Sequence, residues 1–192
     1  MKKTILGLSL LFVFTACNES NSKEDVTPEE LKAGIKEMDD SLNIMTQKVM
    51  NNDDYQMDKV AYHEAIKRNK KFYAHFSDHQ YAEQAAQKIA ALYLQLNIES
   101  EAVKWRDTVL LNYPENKNKL GLLELQMNYY DYNEYTPKKI KYYGKKILAM
   151  ENLPPKKREA KSFRLKHIDK TFDELIQMQN QNDKDSLDTI PS

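Results

Sequence analysis

Apolar residues recur with helical spacing through most of the chain. Between Glu83 and Asn116, Ala86, Ile89, Ala90 and Tyr93 fall on one face of a first helix, and Ala102 and Val109 on one face of a second. Alanine at 86, 90 and 102 lets two helices approach closely, while Ile89 and Tyr93 fill the groove between them. Asn97 separates the two runs and suits a tight turn. Pro114 lacks the N–H that would prolong the second helix. The same spacing predicts helices near 58–75, 81–96, 99–112, 118–131, 137–150 and 155–167, with Thr136-Pro137 and Pro154-Pro155 as start signals for the last two.

A longer helix precedes these. Thr27-Pro28-Glu29-Glu30 forms a capping box with proline in the first turn. Leu31, Ile35, Met38, Leu42, Met45 and Val49 follow at 4-3-4-3-4 spacing, a seam resembling a coiled coil. It either packs on the next helix or mates with a partner helix. Asn51-Asn52-Asp53-Asp54 marks the turn after it. Thr171-Phe172-Asp173-Glu174 is a second capping box, ahead of a short closing helix; the polar residues 179–192 form an expected disordered tail.

The pattern repeats. Ala65, Ile66, Phe72, Tyr73 and Phe76 return 37 residues later as Ala102, Val103, Val109, Leu110 and Tyr113. Ala102, Val109 and Leu110 return 38 residues later as Ile140, Ile147 and Leu148, and FSDH at Phe76–His79 is echoed by YPEN at Tyr113–Asn116. One helix pair cannot bury both its faces and needs neighbours. Glu83–Asn116 has the length and the large, small, aromatic and proline positions of a tetratricopeptide (TPR) unit, which it resembles without gaps. Asn69, Arg106 and Gly144 stand where that repeat usually carries an aromatic residue, with Trp105 and Tyr143 one residue earlier. The chain is closer to the irregular TPR-like repeats of bacterial outer-membrane lipoproteins of the BamD type, and Thr171–Ile176 resembles the S-P-E-E-L-I closure of such lipoproteins.

The N-terminus fits that class. Met1-Lys2-Lys3 begins a basic start, Ile5–Phe14 is an apolar run too short to span a bilayer, and Phe14-Thr15-Ala16-Cys17 resembles a lipobox. The expected organisation is a signal peptide over 1–16, lipidated Cys17 with a polar tether over 17–26, a TPR-like helical domain over 27–178 and the tail over 179–192. Cys17 is the chain's one cysteine, so acylation would leave no thiol for a disulfide or for nucleophilic chemistry. Asn18 after the cysteine favours the outer membrane in a Gram-negative cell. Lys23-Glu24-Asp25 resembles a surface-export signal but lies further from the cysteine than is usual, which favours a solvated linker.

Composition and charge narrow the functions. Loss of the leader leaves 27 basic and 29 acidic residues, a balance that does not favour nucleic acid. Charge is polarised, at −7 over residues 18–64 and +9 over residues 138–170. The basic end suits anionic headgroups or an acidic partner, and reads equally as packing against an internal acidic face or as an ordinary solvated face. His75 and His79 are four apart, but Ser77-Asp78 break the helix and no third ligand is evident, so no metal site is expected. No phosphate loop or nucleophile motif occurs, and neither an enzyme nor a cofactor is expected.

Tyr129, Tyr130, Tyr132, Tyr135, Tyr142 and Tyr143 crowd one helix end, one loop and the next helix. Tyrosine suits interfaces where a ring packs and its hydroxyl stays wet, so the cluster reads either as a peptide-binding surface or as packing between helices plus one exposed loop. Tyr132 and Tyr135 are expected in the loop before Pro137, beside Lys138, Lys139 and Lys141, as candidate partner-binding residues. The expectation is an all-α, short right-handed solenoid of TPR-like antiparallel helix pairs with a long first helix and a short closing one. Its expected role is a lipid-anchored scaffold for another envelope or outer-membrane protein. The alternative is a structural lipoprotein that forms homo-oligomers through Leu31–Val49.

Overall fold

The computed structural model describes residues 26–50, 56–178 and 180. The expected leader, Cys17, the tether up to residue 25, the Asn51–Asp54 turn and the tail except residue 180 lie outside the described residues, as does the side chain of Val49. Every regular element among the described residues is helical. The order is α1 (Pro28–Met50), α2 (Lys59–His75), α3 (Ala82–Gln95), α4 (Glu99–Asn112), α5 (Lys119–Asn128), a π-helical turn (Tyr129–Asn133), α6 (Pro137–Leu148) and α7 (Pro155–Lys166). A closing helix, α8, covers residues 172–178. No described helix is long and apolar enough to cross a membrane.

Local chemistry sets the helix ends. In the first capping box the Thr27 N–H donates to the Glu30 carboxylate at 2.9 Å, and the Glu30 N–H returns to Thr27 Oγ1 at 3.3 Å. Thr171 and Glu174 repeat this at α8, at 2.6 and 3.3 Å. The Asp58 carboxylate caps α2 by accepting from the N–H groups of Val60 and Ala61. Asn97 turns the chain between α3 and α4 at φ +58°, a left-handed conformation that asparagine tolerates better than most residues.

Packing runs chiefly between chain neighbours, from α1 on α2 through to α6 on α7. Met38 and Leu42 of α1 are buried with Ala65 and Ile66 of α2 and Ile89 and Leu92 of α3, and Ile35 joins Phe72, Ala82 and Ala85. The coiled-coil-like seam is thus spent largely inside the molecule. Farther along, Leu123 and Met127 of α5 meet Ile140, Tyr143 and Ile147 of α6.

The internal repeat reappears as a shared register of burial. Ala65, Asn69 and Phe72 of α2, Ala102, Arg106 and Val109 of α4, and Ile140, Gly144 and Ile147 of α6 are all buried. The turns after α2 and α4 match bond for bond. The N–H groups of Phe76 and Tyr113 each donate to the carbonyl four residues back, at 2.9 Å. His79 Nδ1 and Asn116 Oδ1 each accept from the N–H two residues on, at 3.0 and 2.7 Å. His79 is therefore a turn residue. At Gly144 a methyl group would lie 2.8 Å from Leu165 Cδ2, so Leu165 of α7 occupies the space that side chains fill at Asn69 and Arg106.

One element departs from the expected course. The helix expected over 118–131 is α-helical only to Asn128 and then widens into the π turn, where the Glu134 N–H donates to the Tyr129 carbonyl at 3.1 Å. The extra residue in that turn carries Asp131 inward to Arg164 of α7. Arg164 Nε and Nη2 both donate to the Asp131 carboxylate, at 2.7–3.0 Å, in a buried ion pair.

Candidate docking groove

The five expected partner-binding residues do not share one surface. Lys138 and Lys139 line a cleft of about 480 Å³ between α4 and α6, with Leu110, Leu111, Tyr142 and Lys146. Lys141 is exposed but does not line it. Tyr132 sits in the π turn rather than in a loop, and lines a smaller cleft of about 250 Å³ against α7 and α8. Its ring meets Phe172 edge-on at 4.7 Å, although it stays 55% exposed. Tyr135 lies in the loop as expected, but its hydroxyl donates to the Ile168 and Lys170 carbonyls at 2.7 and 3.2 Å. These two rings therefore also hold the segment leading into α8.

The larger cleft has a rigid floor. Tyr143, almost fully buried, donates its hydroxyl to Asp107 Oδ1 at 2.6 Å, and Gln126 Nε2 donates to the same oxygen at 2.7 Å. Gln126 also accepts from Arg106 Nε at 2.8 Å and donates to the Val103 carbonyl at 3.0 Å. Burial, then the bond to Asp107, pushes the Tyr143 phenol far above its ordinary value, so it stays a donor. Burial likewise lowers Arg106 from its ordinary value. This network fixes α4, α5 and α6 to one another beneath the groove.

The rim is where the register breaks. Leu111 is 80% exposed, and the residues 37 before and 38 after it are Ala74 and Ala149, also exposed. Tyr142 is 50% exposed, and its counterparts are Lys67 and Lys104. Lys139 replaces Glu64 and Glu101. On α2 and α4 this pair of positions closes on itself as Glu64–Lys67 at 3.5 Å and Glu101–Lys104 at 2.5 Å. On α6 it becomes Lys139 and Tyr142, with Lys146 Nζ 4.7 Å from the Tyr142 ring centre. Leu111 and Lys146 are thus the lining residues that the sequence does not single out, whereas Tyr142 belongs to the tyrosine cluster named from it. The signal for them lay in the repeat itself, at its outward-facing rather than its buried positions.

Among the described residues no group of three or more His, Cys, Asp or Glu is arranged to hold a metal ion. His75 Nδ1 lies 2.8 Å from the Lys71 carbonyl, and His79 is used in its turn. No protein-family model, curated protein or solved structure matches the chain.

Proposed function

We propose that the chain is a lipid-anchored scaffold of the bacterial cell envelope, a short right-handed stack of TPR-like helix pairs that binds another envelope protein. The anchor is Cys17, read from the lipobox-like Phe14-Thr15-Ala16-Cys17, and the membrane is the outer one. The common buried register of α2, α4 and α6 supports the stacked-repeat reading. The observation that carries the binding role is the exposed Leu111 beside Tyr142, where the repeat elsewhere places alanine and lysine. Exposed apolar groups rimmed by charge are typical of protein interaction sites. Self-association through Leu31–Val49 is the weaker reading, because Ile35, Met38 and Leu42 are already buried against α2 and α3.

The test joins location to partner. Cys17→Ser should leave the leader uncut by the lipoprotein signal peptidase and abolish acylation, whereas the native chain stays with membranes through several acyl chains. Mass spectrometry of the mature N-terminus reads the modification directly. Cross-linking in intact membranes, followed by purification of the native chain, should recover one envelope protein in stoichiometric yield. Mature chain free in the periplasm with Cys17 unmodified would refute the anchor. Recovery of the chain alone would refute the scaffold.

A further inference from the structure

We infer that the groove between α4 and α6 receives an acidic segment of the partner protein that carries a large apolar side chain. This rests on the scaffold reading and adds the chemistry of the bound segment. The groove carries side chains that the other repeats do not have at the matching positions, namely apolar Leu111 and Tyr142 and, at 139, a lysine in place of Glu64 and Glu101. Leu111 and Tyr142 offer apolar surface in place of Ala74 and Ala149 and of Lys67 and Lys104. Lys138, Lys139 and Lys146 surround them, and none forms an ion pair among the described residues.

Charge complementarity identifies the occupant. On α2 and α4 the acid at this register is neutralised by its own helix, as Glu64–Lys67 and Glu101–Lys104. On α6 the acid has become Lys139, whose ammonium lies 5.5 Å from the Tyr130 ring centre, and the base has become Tyr142; α6 itself carries no acid, so an acidic partner segment is the counter-charge that fits. The groove's one carboxylate, Asp107, is already occupied at Oδ1 by Tyr143 and Gln126 and sits at the floor. Three lysines around an apolar cleft steer an acidic chain toward it and reject a basic one. The apolar groups then fix register, since a large side chain seated against Leu111 and Tyr142 displaces water that lysine–carboxylate pairs alone would leave in place. A bilayer surface would satisfy the lysines, but it is flat and does not match a recessed cleft.

The test uses the full-length anchored protein in its own membranes. p-Benzoylphenylalanine introduced at Leu111 should, on irradiation, give an adduct with one protein. Peptide mapping should place the cross-link in a segment with net negative charge and at least one large apolar residue. Lys138→Glu, Lys139→Glu and Lys146→Glu together should cut adduct yield about tenfold, because three rim pairs turn repulsive. Reversing the acids of the mapped segment to lysine should restore it. Circular dichroism checks that the reversed chain folds; the three Lys→Gln changes serve in its place if it does not. Salt at about 1 M, with a screening length near 3 Å, should also lower the yield. Adducts mapping to lipid, to a second copy, to residues 179–192 or to a neutral or basic segment would overturn the inference, as would a yield unmoved by charge reversal. If Leu111 captures nothing but the same probe at Tyr132 captures a protein, the groove falls and the scaffold stands. If neither position captures a protein, both fall.

Discussion

Around α3 and α4 the helices meet on small apolar side chains, with Ala85, Ala86, Ala90, Ala102 and Val109 all buried. At the other end, the turn after α5 meets α7 through Arg164 and Asp131, and α4 meets α5 and α6 through Arg106, Gln126, Asp107 and Tyr143. One repeat period is thus held by two kinds of interaction. Alanine contacts work by proximity and fail when enlarged. The polar junctions work by hydrogen bonds among their members, although Arg106 Nη2 is buried without a partner, and fail when one member is removed.

The largest effect expected from this contrast is at Arg164. Arg164→Met leaves the Asp131 carboxylate buried without its cation and should cost about 3–5 kcal/mol in urea unfolding. Asp131→Leu combined with Arg164→Met should recover part of that loss, since an apolar pair replaces the ions while the bonds from Arg164 to the His167 and Lys170 carbonyls stay lost. A single-mutant cost no greater than that of an exposed arginine would show that the pair is not desolvated.

Next comes the alanine junction. Ala102→Leu should cost about 1–3 kcal/mol by forcing α3 and α4 apart. Glu101→Leu, one residue earlier, removes only the partly exposed pair to Lys104 and should cost far less. Equal melting temperatures for the two variants would place the α4 register wrongly.

The smallest effect concerns the helix starts. Hydrogen bonds from the Thr27 backbone N–H and then its hydroxyl hold the Glu30 carboxyl below its ordinary value, and Thr171 does the same for Glu174. A carboxyl depressed on folding stabilises above its unfolded value, and that contribution is lost as pH falls through the lower folded value. The Cα chemical shifts of residues 27–31 and 171–175 should therefore move toward coil below the ordinary value of 4.5, while those of α3 and α4 hold. Frayed starts already at neutral pH would contradict the capping boxes.

The same contrast explains what could be read from the chain. Helix positions, the Asn97 turn and the burial of Ala86, Ile89 and Ala102 follow from periodicity, because apolar side chains report their face by spacing. The Asp131–Arg164 pair does not, since charged residues 33 positions apart in a polar-looking stretch carry no periodic signal. The π turn that joins them was hidden for the same reason, and with it the true setting of Tyr132. Of the groove, Lys138 and Lys139 were legible from the basic run beside the tyrosines. Leu111 was not, because it sits next to Val109 and Leu110 and reads as more of the same core.

Whether the outward break in the repeat serves a partner is tested most directly by restoring the repeat. Leu111→Ala with Tyr142→Lys installs at both positions what the other repeats carry there. Because Leu111 faces solvent and Tyr142 is half exposed, the variant should still fold with at most a small drop in melting temperature, and the cross-linked envelope protein should be lost from purified membranes. Undiminished recovery of that protein from the folded variant would show that the outward break in the repeat serves no partner.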